Sequence, residues 1–159
     1  TQLSGPNWHL LVAGDGPQRD AITAQLNNAA PGRVTFLGTL DEPALTEAYT
    51  ASDMLVWPAI DEAFGIALLE AQAARLPVVA GKQRGVPDII ASGITGLLPK
   101  PGDATAFAQA LQRLIDDPEA RTRMGEAASR RVLEQFDVPV AAERLDATLK
   151  TVASVVRAS

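Results

Sequence analysis

The chain has 159 residues, 47% of them hydrophobic and 21% charged, with a net charge of −5. This is ordinary globular composition, long enough for one sizeable core. The acidic balance excludes the basic footprint of a nucleic-acid binder, and the lack of cysteine excludes disulfides and thiolate metal sites. No apolar run approaches the roughly 18 residues of a membrane span. The opening TQLSGPNWHLLVAG has no charged region before its apolar run, so no signal peptide is expected and a cytoplasmic protein is the expectation. The first residue is Thr1 rather than Met, which suggests a fragment or a processed piece.

WHLLVAG (8–14) is a short apolar run closed by Gly-Asp-Gly-Pro, the pattern of a buried strand. PQRDAITAQLNNA follows with helical spacing, Pro17 suiting its first turn and Ile22 and Leu26 lying four apart. VTFLG (34–38) predicts a second strand. Asp41 is a plausible N-cap for the next helix, with Pro43 early in it and Leu45 and Tyr49 on one face. MLVWPA (54–59) predicts a third strand, and a helix beginning near Gly65 runs towards Leu76-Pro77. VVAG (78–81) is a fourth strand, GVPDIIAS a short helix and TGLLPK (95–100) a fifth strand. Strands that are apolar throughout, alternating with helices, predict an α/β domain with a doubly wound, Rossmann-like parallel sheet covered on both faces. After Lys100 the pattern turns helical. Asp103 caps ATAFAQALQRLIDD, Pro118 restarts EARTRMGEAASRRVLEQF, and VPVAAERLDATLKTVASVVRAS closes the chain. Residues 1–159 read as a single domain with neither internal repeat nor low-complexity linker.

Open doubly wound sheets bind ligands beyond the carboxyl ends of their strands. Four loops belong to that edge: GDGP (14–17), GTLDE (38–42), PAIDEAFG (58–65) and GKQRGVP (81–87). Gly14 and Gly16 fit the first two glycines of a dinucleotide fingerprint, but Arg19 stands where the third belongs, so the match is weak. It reads equally as a tight turn or as a turn slim enough for a ligand to approach the backbone. No P-loop and no Asp-x-Asp pair is present, so no metal site is expected; Asp116 and Asp117 read as a helix end. His9, beside Trp8 at the start of the first strand, reads as structural, and Trp57 as core packing.

Glu62 and Glu70 raise the question of an acid–base pair. Eight residues apart on one helix, they would be separated by about 80° around its axis and would not meet. With the helix starting near Gly65, Glu62 instead lies in the preceding loop and Glu70 about a turn inside. The amides of Phe64, Gly65, Ile66 and Ala67 would then be free at an N-terminus that attracts anions such as phosphate. The two carboxylates, as pure acceptors, suit sugar and ribose hydroxyls. The bland alternative is a loop charge plus a solvated helix charge.

The ordered series VAGDGP (12–17), VTFLG (34–38), ASD (51–53), EAFGIALLEAQA (62–73), LPVVA (76–80), GVPDII (85–90) and GITGLLPKPGD (93–103) resembles the C-terminal, donor-binding domain of the family 4, or group 1, retaining glycosyltransferases. These have the two-domain GT-B fold. Their hallmark is two glutamates separated by seven residues, matched by Glu62 and Glu70. The resemblance implies that Glu62, as the catalytic-site residue, holds the donor sugar with the amides of Phe64, Gly65 and Ile66. The amides near Ala67 and Leu68 would meet the diphosphate. Glu70 would accept from the ribose, Thr39 and Leu40 would border the base, and Gly14 and Gly16 would leave room beside the nucleotide. The implied partner is a UDP- or GDP-linked sugar; no cofactor is implied. Two features of such chains are missing: the N-terminal acceptor domain, and an Arg and a Lys upstream that neutralise the leaving diphosphate. Arg84 also replaces a glycine, and Lys82 or Arg84 is a candidate phosphate contact in compensation, with a solvent-facing loop as the alternative. Peripheral membrane contact of a longer chain stays open, because many relatives glycosylate lipids. Rival readings are an isolated nucleotide-binding module and an epimerase or phosphorylase relative; Lys82 is a poor candidate for the cofactor-bearing lysine a phosphorylase needs.

Overall fold

The computed structural model describes residues 3–5 and 8–157. In chain order the elements are β1 (Leu10–Ala13), α1 (Arg19–Ala29), β2 (Val34–Gly38), α2 (Glu42–Thr50), β3 (Leu55–Trp57), α3 (Ile66–Ala73), β4 (Val78–Ala80), α4 (Val86–Ile89), β5 (Gly96–Leu97), α5 (Ala104–Asp116), α6 (Pro118–Gln135) and α7 (Val138–Arg157). Every strand pairing is parallel. Residues 158 and 159 of the predicted terminal helix lie outside the described residues.

The core is organised around β4, which lies between β3 and β5. Val78, Val79 and Ala80 are all fully buried, as a strand covered on both faces requires. Alternation along the strand sends Val78 and Ala80 to one face and Val79 to the other. Val78 and Ala80 join Leu68 and Ala71 of α3 and Val86 and Ile89 of α4. Val79 joins Leu97, Leu114 of α5, and Ala120 and Met124 of α6. Helices thus cover both faces, as the apolar strands predicted.

The predicted single sheet is present as two hydrogen-bonded ladders, β1–β2 and β3–β4–β5, with no ladder joining them among the described residues. The first βαβ unit accordingly buries little. β1 alternates between half-buried and exposed positions, and Leu11 is 38% exposed. Neither α1 nor α2 contains a buried residue, although Tyr49 of α2 packs against the main core. A shift in the β1–β2 register, where Val12 pairs with Phe36 but Ala13 with Gly38, ends that ladder at the GDGP turn.

Local signals explain most boundaries. Asp41 accepts from the Ala44 amide at 3.0 Å and Asp103 from the Ala106 amide at 2.9 Å, so both expected caps are made. Asp117 caps α6 through the Ala120 amide at 2.8 Å, and Asp116 accepts from Gln112, which accounts for that acidic pair. His9 shares a 2.8 Å hydrogen bond with Thr35 across the β1–β2 ladder, a structural position. No helix among the described residues is long and apolar enough to cross a membrane.

Candidate functional site

The site is built on the junction between β3 and α3. Leu68, Ala71 and Gln72 are buried and anchor α3 by its inner face. Gly65 caps the helix with φ 77° and ψ 74°, the left-handed region. A β-carbon there would lie 2.8 Å from Leu68 Cδ1 and 3.2 Å from Glu62 Cγ, so glycine is required by conformation and by space.

Not all of the expected amides are free. The Phe64 amide points at Glu62 Oε1 over 3.4 Å, and the Leu68 amide donates to the Gly65 carbonyl at 2.9 Å. Both are corrections, and the cause is local: the turn into the helix closes on itself. The amides of Gly65, Ile66 and Ala67 have no acceptor among the described residues. They are unsatisfied donors at the positive end of a helix dipole.

The glutamates flank this bare backbone and have different anchors. Glu62 Oε2 accepts from the Trp57 indole Nε1 at 3.3 Å, so the last residue of β3 orients the carboxylate. Glu70 Oε2 accepts from the Tyr49 hydroxyl at 3.2 Å, reaching from α2. Tyr49 is pushed up to about 12 by its burial, with the Glu70 charge and the hydrogen bond to it acting in the same direction. The phenol therefore stays a donor at neutral pH, and Glu70 accepts from it through one oxygen with the other left for further partners. Glu62 and Glu70 have separate partners and no hydrogen bond with one another, which matches two acceptors better than an acid–base couple.

The other expected residues fall into two groups. Gly14 and Gly16, with open space where side chains would stand, occupy the turn after β1. The Gly14 amide donates to the Gly38 carbonyl, which brings that turn beside Thr39 and Leu40 at the end of β2. Arg19, in the place of a third fingerprint glycine, pairs with Asp15 at 2.8 Å. No hydrogen bond among the described residues joins these two loops to the Glu62 loop. Lys82 is exposed, its backbone amide tied to Pro99. Arg84 is already engaged: its Nη2 lies 3.0 Å from Asp61 Oδ1.

Four contributors escaped the sequence reading: Tyr49, Trp57, Asp61 and Gln83. Tyr49 and Trp57 carried only an apolar signal, as a helix-face residue and a core residue. The position of Trp57 at a strand end, five residues before Glu62, was the one available hint.

The family model of the glycosyl transferases group 1 matches residues 1–131. The chain is 37% identical over 135 residues to the sulfoquinovosyl transferase SQD2 of Arabidopsis thaliana, covering 83% of this chain and 26% of that protein. Among solved structures it resembles the sucrose-phosphate synthase tll1590 from Thermosynechococcus elongatus, with a TM-score of 0.80 and 31% identity over 92% of this chain and 39% of that one. It also resembles Anabaena Alr3699/HepE in complex with UDP-glucose, with a TM-score of 0.77 and 26% identity over 92% of this chain and 42% of that one. The chain spans roughly a quarter to two-fifths of the curated relatives it matches, 26% of one and 37% of another.

Proposed function

Because this chain belongs to the glycosyl transferases group 1 family, we propose that it is the donor half of an enzyme that transfers a sugar, with retention of configuration, from a nucleoside-diphosphate sugar to a hydroxyl acceptor. The observation that carries this reading is the set of free amides at Gly65, Ile66 and Ala67, set between two carboxylates held by Trp57 and Tyr49. The diphosphate lies at the amides, where the helix dipole offsets the negative charge that grows as the sugar leaves. Glu62 takes sugar hydroxyls and Glu70 takes ribose hydroxyls, both as acceptors. Catalysis is then mainly positioning and charge relief, without proton transfer between the two glutamates. Thr39 and Leu40 border the base, and Gly14 and Gly16 make room for the nucleotide. A UDP-linked sugar is favoured by the likeness to a structure solved with UDP-glucose.

A second reading is favoured by length. These residues span 26% of one relative and 39% of another, and on this reading they bind a nucleotide sugar without turning it over on their own.

Binding separates both readings from a purely structural domain. A thermal-shift screen against UDP, GDP, ADP and their sugar conjugates is expected to raise Tm by roughly 5 °C or more for the right base at a hundredfold excess over Kd. Absence of any shift at millimolar nucleotide contradicts a self-sufficient donor site.

A further inference from the structure

We propose that Gln83 and Arg84 are positioning residues that lock the loop carrying Glu62, and that Arg84 is spent on this lock instead of on the donor phosphates. The inference rests on the donor-site reading above.

The loop 58–65 has no ladder of its own and is largely open to solvent: Ile60 is 69% and Phe64 50% exposed. Three consecutive residues of the facing loop lie against it, two of them bonded to it. The Gln83 carboxamide donates from Nε2 to the Ala59 carbonyl at 2.5 Å and accepts at Oε1 from the Asp61 amide at 2.9 Å. One side chain thereby supplies the two bonds that a neighbouring strand would supply. Arg84 pairs with the Asp61 carboxylate at 3.0 Å. Gly85 has the Ala63 carbonyl where its own side chain would stand, so only glycine lets the loops approach this closely. Positions 59 and 61 are held by these bonds and position 63 lies close against Gly85; Glu62 stands between the last two, facing Trp57.

The backbone carries the mark of the lock. Asp61 has φ 71° and Arg84 φ 41°, both in the left-handed region without being glycine. Two strained residues joined by their own ion pair indicate a conformation held by its partners. The two halves of the lock are unequal. The ion pair is exposed, with side chains 59% and 74% accessible, and contributes little alone. The carboxamide bonds a carbonyl and an amide of the loop at once, and it is only partly exposed.

The test measures the affinity of the full chain for a UDP-sugar and for UDP, together with amide exchange in the unliganded state. Gln83→Met keeps length and loses both bonds. It is expected to weaken UDP-sugar binding about tenfold while leaving UDP within about twofold, because Glu70 and the α3 amides do not depend on Gln83. Exchange at the Asp61 and Phe64 amides is expected to accelerate. General loss of structure would weaken both ligands alike and overturn the proposal, as would unchanged exchange. The sign of Asp61→Asn separates the two roles of Arg84. A lock makes Asp61→Asn and Arg84→Gln each weaken the UDP-sugar by about twofold, the double variant no further. A phosphate contact makes Asp61→Asn strengthen binding, by freeing the guanidinium and removing a negative charge, and contradicts the proposal. If the unaltered chain binds neither ligand, the donor-site reading fails, while amide exchange in Gln83→Met still decides whether the lock exists.

Discussion

The two glutamates of the site are held by aromatic hydrogen-bond donors, and one of these gives a spectroscopic handle. Tyr49 is the only tyrosine in the chain, so tyrosinate absorbance reports it alone. Its value is raised from the ordinary 10.0 to about 12 by burial and by Glu70. Because the folded value is the higher one, the stability this group contributes is complete below pH 10 and is lost as pH rises towards 12. The expected titration midpoint lies well above 10, and Glu70→Gln lowers it by removing both the charge and the stronger acceptor. A midpoint that ignores Glu70→Gln contradicts the pairing. Glu62, Gly65 and Glu70 were legible in the sequence because their relation is local, a loop residue, a cap and a helix residue within one short stretch. Tyr49 with Glu70, and Asp61 with Gln83, were not. They are 21 and 22 residues apart, and only packing of one unit on the next brings them together.

The helices with expected caps were readable for the same local reason, since Asp41 and Asp103 act on amides three residues ahead. Their energetic consequences differ. Loss of such a cap costs about 1 kcal/mol of helix stability. In α5, where Leu114 is fully buried in the core, that cost falls on global unfolding. Asp103→Ala is therefore expected to lower Tm by about 2–4 °C. α2 has no buried residue, so Asp41→Ala is expected to fray the helix locally, with faster amide exchange in α2 and little change in Tm. Because α2 carries Tyr49, the same variant is expected to weaken nucleotide binding where Asp103→Ala does not. Equal Tm losses would mean that α2 belongs to the core after all. The division into two ladders was not legible. Apolar runs identify strands, but they do not say which neighbour each strand bonds, and the exposed face of β1 is a tertiary property.

Taken together, the elements make a domain with a firm core around β4 and a loosely packed first βαβ unit, and the proposed donor site would draw on both. Glu62 and the free amides stand on the firm part; Gly14, Gly16, Thr39 and Leu40, proposed to border the nucleotide, stand on the other. The α/β architecture with helices on both faces was legible from strand–helix alternation, and the family from the ordered series of motifs between residues 12 and 103. The most direct test of the central claim, that the bare start of α3 holds a diphosphate between two acceptors, is to follow the backbone amide resonances of the full chain during titration with UDP and a UDP-sugar. The expected result is saturable perturbation of the Gly65, Ile66 and Ala67 amides with both ligands, and of the Trp57 indole NH with the sugar conjugate, through the Glu62 carboxylate it holds. Binding that leaves those three amides unmoved while shifting resonances elsewhere would contradict it.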